Sequence, residues 1–221
     1  MTRLPLVVAA LLAAMPALAD AQTRRPQPRQ PRIEVGVGAG FFGGLALGER
    51  DASLQSNSTT PTPFRLFATD TNLDPSAGLE VRLGYRTTPR LTVEGALWFA
   101  RPTLTSSLSA DAEGAAAVEA TTTLTEYVIT GGALWKLSVN PRRRWTPFVS
   151  GGAGVARHVH DGQTLIESGV DSYVGGGLLY SLTPRVGLRV DGRVHFLNGG
   201  IAEGQGVSPR GALSGSIFVA F

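Results

Sequence analysis

The chain contains no cysteine. It therefore has no disulfide, no thiol nucleophile, no thiolate metal site and no cysteine for a lipid anchor. Long apolar runs are missing beyond the N-terminus, and mean hydropathy is only +0.07. Nothing after that region approaches the ~18 consecutive apolar residues that mark a membrane helix. A dominant charge is missing too: Lys and Arg number 20 against 17 Asp and Glu, for a formal net charge of +3. The arginines are scattered rather than gathered into a track for a phosphate backbone, so nucleic acid is not an expected partner.

What the chain does have is glycine, 28 residues of 221, which suits a β-protein with many turns and close backbone contacts. That length supports one domain with a real core. At the start, MTRLPLVVAALLAAMPALADA sets Arg3 before an apolar run from Leu4 to about Met15, followed by small residues. This is the pattern of a secretory signal peptide over 1–21, cut after Ala19 or Ala21. Residues 22–32, QTRRPQPRQPR, cannot bury apolar area and are expected to be a disordered tail. The folded domain is expected over 33–221.

From Ile33 the chain alternates apolar and polar residues in eight runs, near 33–45, 77–86, 91–101, 124–137, 145–157, 172–182, 186–196 and 212–221. Three connections share Pro-Arg turn chemistry: RTTPRLTV around Pro89, SVNPRRRW around Pro141 and SLTPRVGL around Pro184. The others, over 48–76, 102–122, 159–171 and 198–210, are longer and polar. Strict alternation of short and long connections predicts a chain that runs up and down. Most runs have about the 9–11 residues of a tilted membrane-crossing strand. The third and fourth are expected to project further, because TLTSSLSA and EATTTLT can continue as a hairpin.

One parity of every run is apolar: Val35, Val37 and Phe41 in the first, Leu79, Val81, Leu83 and Tyr85 in the second, Val190, Val194 and Phe196 in the seventh. With the short turns on one side, Tyr85, Trp135, Trp145, Tyr180 and Phe221 fall near that rim, and Phe41, Phe99, Tyr127 and Phe196 near the other. Two aromatic girdles are what the two interfaces of a membrane select. The expected fold is all-β: an eight-stranded antiparallel up-and-down transmembrane β-barrel.

The opposite parity collects Glu34, Glu80, Glu94, Glu126 and Asp191 with Arg82, Arg86, Lys136, Arg189 and Arg193. A charge-selective pore shows an excess of one sign. Equal numbers in a barrel just wide enough for side chains to fill predict ion pairs that neutralise one another. Glu80, Arg82, Glu94, Arg189, Asp191 and Arg193 are the expected lumen network.

PFVSGGAGVARH, YVGGGLLYSLTPRVGLRVDGRVHF and the ending LSGSIFVAF resemble the small eight-stranded outer-membrane β-barrel superfamily, which contains the OmpA-like transmembrane domain and OmpX-like and OmpW-like proteins. The OmpA likeness is expected to stop at the barrel. Within the ending, Leu213, Ile217, Val219 and Phe221 look like the family's C-terminal assembly signal, an amphipathic strand that insertion machinery can pair with. The resemblance implies outer-membrane residence, partnership with the barrel assembly machinery, and lipopolysaccharide or phospholipid neighbours. It implies little about activity, since the fold hosts adhesins, structural barrels, small channels and a few lipid enzymes.

Of these roles, a structural or surface-interaction one, with a ligand met through the long loops, is the expected function, and a narrow passive channel or small-solute transporter the alternative. Catalysis is not expected. HFLNGGI, from His195, faintly resembles the His-x-Ser-Asn motif of lipid A deacylase-like barrels, but Leu197 stands where the nucleophilic Ser is needed. His158 and His160 share a strand face beside Asp161, where two metal ligands could converge, but the expected reading is a polar strand end entering a loop; no metal or cofactor is expected. Inward Phe42, Trp98, Phe148 and Phe218 argue against a wide channel, and FRLFATDTNL, from Phe64, is expected to pack over the barrel mouth.

Overall fold

The computed structural model describes residues 32–54, 64–109, 116–140, 143–161, 165–202 and 206–221. Residues 1–21, expected as a signal peptide, and nearly all of the Pro/Arg-rich segment 22–32 lie outside the described residues. In chain order the strands are β1 (Ile33–Phe42), β2 (Leu45–Leu54), β3 (Phe64–Leu73), β4 (Ser76–Arg86), β5 (Leu91–Ala100), β6 (Thr103–Ser109), β7 (Val118–Lys136), β8 (Trp145–His160), β9 (Ile166–Ser181), β10 (Val186–Gly199) and β11 (Val207–Ala220).

Eight of these close a ring by antiparallel pairing, in the order β1, β4, β5, β7, β8, β9, β10, β11 and back to β1. Closure removes every free sheet edge from the wall. It is finished at the chain end, where the Phe221 N–H donates to the Ile33 carbonyl at 2.8 Å. Two of the short turns use one device. Thr88 Oγ1 accepts from the N–H groups of Arg90 and Leu91, and Thr183 Oγ1 accepts from those of Arg185 and Val186. In both, the threonine hydroxyl before Pro-Arg fixes the reversal.

The alternation sorts the two faces as a closed sheet requires. Outward lie large apolar side chains such as Leu79, Val81, Leu83, Ile129, Val190 and Leu213, the last 65% exposed. A wall so apolar all round needs a hydrocarbon solvent. Phe41, Tyr85, Phe99, Tyr127, Trp135, Trp145 and Phe221 are exposed on this wall, with Tyr180 and Phe196 half-buried beside them. Across neighbouring strands the Trp145 and Tyr180 rings sit 4.5 Å apart, and those of Phe99 and Tyr127 5.4 Å.

Inside, bulky rings fit because the facing positions are glycine. A Cβ on Gly40 or Gly78 would come within 2.5 Å of the Trp98 indole, and one on Gly132 within 2.5 Å of the Tyr173 hydroxyl. Apolar groups gather at both ends. Leu134, Phe148 and Leu179, with Phe218 against them, pack near the short turns. Phe42, Leu45, Leu73, Trp98, Leu124, Leu197 and Ala202 pack at the far end.

The long connections differ from expectation. Residues 48–76 and 102–122 are not simple loops: β2, β3, β6 and the first residues of β7 pair in that order into a four-stranded extension of the wall. The first run ends at Phe42, and Gly43–Gly44, Asp74–Pro75 and Arg101–Pro102 separate β1 from β2, β3 from β4 and β5 from β6. Pairing resumes past each break, so the same strands bend and continue as a crown. Gly48, at φ 87°, marks a register shift between β2 and β3 that a side chain would resist. FRLFATDTNL is β3 itself, held between β2 and β6. The other two long connections also shrink, to 161–165 and 200–206, because β8 through β11 keep exchanging ladder hydrogen bonds beyond the apolar belt.

Candidate functional site

The interior of the barrel is the most chemically dense part of the molecule. β10 supplies its spine, because alternation turns Arg189, Asp191, Arg193 and His195 all inward. Asp191 sits between the two arginines: Arg189 Nε donates to its Oδ2 at 2.6 Å, and Arg193 Nε lies 3.2 Å from its Oδ1. From the far side of the lumen, Arg82 on β4 donates from Nη1 to Asp191 Oδ2 at 2.8 Å. The Ser214 hydroxyl, on β11, adds a hydrogen bond to Oδ1 at 3.0 Å. One carboxylate thus serves three guanidinium groups.

Two further carboxylates balance that excess. Glu94 on β5 receives both terminal nitrogens of Arg189, at 2.6 and 3.1 Å, a two-pronged pair. Glu80 on β4 pairs with Arg82 beside it and with Arg193 Nη1 at 3.1 Å. The structure therefore brings Glu80, Arg82, Glu94, Arg189, Asp191 and Arg193 into one connected cluster, and every one of them is buried. Three carboxylates face three cations there. Rings cover the arginines as well: Arg189 lies 4.6 Å from the Phe148 ring centre and Arg193 4.9 Å from that of Tyr173. A cavity of about 20 Å³ between Arg82, Glu94, Arg189 and Phe218 has room for about one water.

A second polar layer lies nearer the crown. Arg210 on β11 donates to Glu126 at 2.7 Å and to the Gly43 carbonyl at 2.7 Å, with its guanidinium 4.5 Å from the Phe42 ring centre. His158 shares a hydrogen bond with Glu126 at 3.2 Å, and His195 one with Asp171 at 2.8 Å. Sequence reasoning placed Arg210 and Asp171 in loops and so missed both. The signal that could have found them is the inward parity of β10, extended across Arg210↔His195 on one side and Asp171↔Leu197 on the other. At the short-turn end a third group joins Glu34 to Arg86 and, at 3.8 Å, to Lys136.

The pair of histidines considered for metal does not converge. His158 turns to Glu126, His160 meets Glu167 at 3.0 Å, and Asp161 holds Arg101 and, at 3.2 Å, the Thr125 hydroxyl. His195 has the Phe42 and Tyr173 rings 5.1 and 5.6 Å away, and the next inward residue is Leu197, which offers no hydroxyl.

A closed eight-stranded wall, apolar outside and charge-paired inside, narrows the possible families sharply. The profile of the family described as outer membrane protein beta-barrel domain matches residues 6–208. The chain belongs to that family. It is a protein of the bacterial outer membrane, and in such barrels the short turns face the periplasm and the longer connections the outside. Among solved structures, neisserial surface protein A superposes with a TM-score of 0.56 at 15% identity, covering 86% of this chain and 97% of that one. OprG from Pseudomonas aeruginosa gives 0.47 at 10%, covering 86% and 94%. The attachment invasion locus protein Ail of Yersinia pestis gives 0.44 at 12%, covering 86% and 99%. The first of these carries the comparison, and it is a likeness of fold. Curated protein sequences give no match.

Proposed function

We propose that this protein is a non-conducting, non-enzymatic outer-membrane barrel whose working part is its crown. The observation that carries this reading is the filled lumen. Charge pairs occupy its middle, and buried Leu45, Leu73, Leu124, Leu197 and Ala202 pack across the end nearest the crown. A conduit needs a continuous wet path, which paired arginines beneath an apolar plug do not provide. Serine-based lipid deacylation needs a hydroxyl for His195 to activate, and the next inward residue, Leu197, offers none.

The crown is where a partner has access. Four strands rise beyond the apolar belt on the wall's own hydrogen bonds, which gives an exposed surface a rigid base. In this reading the signal peptide is removed, the barrel over 33–221 is threaded by the barrel assembly machinery through the β11 ending, and lipopolysaccharide and phospholipid surround it. Shortening the crown tests the surface role. A variant with 103–123 replaced by a tight turn should keep the heat-sensitive gel mobility of a folded barrel while losing adhesion to host cells or neighbouring surface proteins. Unchanged adhesion would remove the crown from the function.

A further inference from the structure

The outer wall of the barrel is not evenly clothed. Across β10, β11 and β1, several outward positions are glycine: Gly192, Gly211 and, just beyond β1, Gly43. Their alignment follows from the register. Gly192 lies opposite Leu213, Gly211 opposite Val194, and the Gly43 N–H donates to the Gly211 carbonyl at 2.8 Å. Bare backbone therefore forms the floor of an oblique furrow that climbs from mid-wall to the crown end. Its sides are Phe41, Val174, Val194 and Leu213. The furrow is shallow and open along its outer side, with about 700 Å³ of space lying over the glycines.

We propose that this furrow is a binding site for one acyl chain of a membrane lipid, held in a fixed position rather than exchanging as ordinary solvent. Its place decides the occupant: it is cut into the apolar belt, continuous with the lipid-facing surface on both sides, so bilayer hydrocarbon is what meets it. Its chemistry agrees. The side walls are aliphatic and aromatic, and the floor is backbone engaged in sheet hydrogen bonds; Arg193 contributes to that floor while its guanidinium turns into the lumen to Glu80 and Asp191, and Val207 and Pro209 above bring no charge for a headgroup. A straight chain lying along the glycines contacts side chains on both flanks, where over Leu79 or Leu83 it would meet only a convex surface. Recognition rests on shape and is indifferent to the headgroup.

Gly211 offers a clean way to fill the furrow, because a Cβ there meets no protein atom within 4 Å. Gly131 on the opposite wall is equally open and serves as the matched control. The experiment reconstitutes the full chain in phosphatidylethanolamine vesicles carrying a trace of phosphatidylcholine with a photoreactive acyl chain, and maps adducts by peptide. Wild type should concentrate adducts on peptides spanning 192–196 and 209–213, at least fivefold over the β5–β7 wall. Gly211→Leu should abolish that enrichment, and Gly131→Leu should leave it intact. Adducts spread evenly around the wild-type barrel would overturn the proposal without any variant. So would enrichment that survives in a Gly211→Leu protein whose gel mobility shows it folded.

Discussion

Arg82 and Asp191 lie 109 residues apart in the chain, on strands that do not touch, and meet in the lumen at 2.8 Å. The bond crosses the lumen from β4 to β10, strands separated along the wall by β1 and β11, and Arg193–Glu80 makes a second crossing between the same two strands. Because Asp191 also receives Arg189 and Arg193, it is the keystone of the interior.

Removing that carboxylate should therefore be costly. Asp191→Ala leaves three buried guanidinium groups short of a shared acceptor, and breaking a buried pair from one side costs about 3–5 kcal/mol. The expected outcome is a lower temperature for the heat-induced gel shift, with a smaller drop for Asp191→Asn. An unchanged transition temperature for Asp191→Ala would mean that the cluster contributes nothing to stability.

Arg189→Lys tests geometry separately from charge. Lysine keeps the cation but cannot hold both oxygens of Glu94 while also donating to Asp191. A loss of about 1.5–3 kcal/mol is expected from the forfeited charged hydrogen bonds. Equilibrium urea unfolding in phospholipid vesicles measures it, and wild-type stability in the lysine variant would reduce Arg189 to a simple counter-charge.

The lipid face has its own signature. Val81 is 50% exposed and lies opposite Leu97 near the middle of the belt. Val81→Arg should destabilise the barrel by about 2–4 kcal/mol in a bilayer. The same urea titration should give nearly no change for an arginine in the crown, for example Thr121→Arg, where the side chain is exposed outside the belt.

Gly187 gives a packing test with a built-in rescue. A Cβ there would sit 2.4 Å from the Phe218 ring. Gly187→Ala should lower the gel-shift temperature, and adding Phe218→Ala should recover part of the loss. If the double variant is no better than the sum of the two single ones, the ring is not what Gly187 makes room for.

The outer wall was legible in the sequence because hydrocarbon imposes a hard rule: on all eight strands, alternate residues must be apolar across the belt, and Leu79 to Tyr85 obeys it without interruption. Parity in the sequence marks the inward charges, but it does not separate the six of the central cluster from Glu34, Arg86, Glu126 and Lys136, which pair elsewhere. The pairings were not legible, since nothing local sets Arg82 opposite Asp191; the ring closure and register of non-adjacent strands do that. Arg210 and Asp171 were hidden because the segments around them, with Pro209 and Gly169, carry turn residues that mask strand continuation. The crown was half hidden for a related reason. Thr103 to Ser109 has no buried face to impose a period, so its strands are specified by their neighbours rather than by their own pattern.

If the lumen is closed, the barrel passes no ions, and planar-bilayer recording of the purified full chain measures this. No steady ohmic conductance should appear in wild type, whatever the sign of the applied voltage. Reproducible unitary steps in the wild-type protein would show instead that ions pass through the Arg82–Asp191 cluster and that the barrel is a channel.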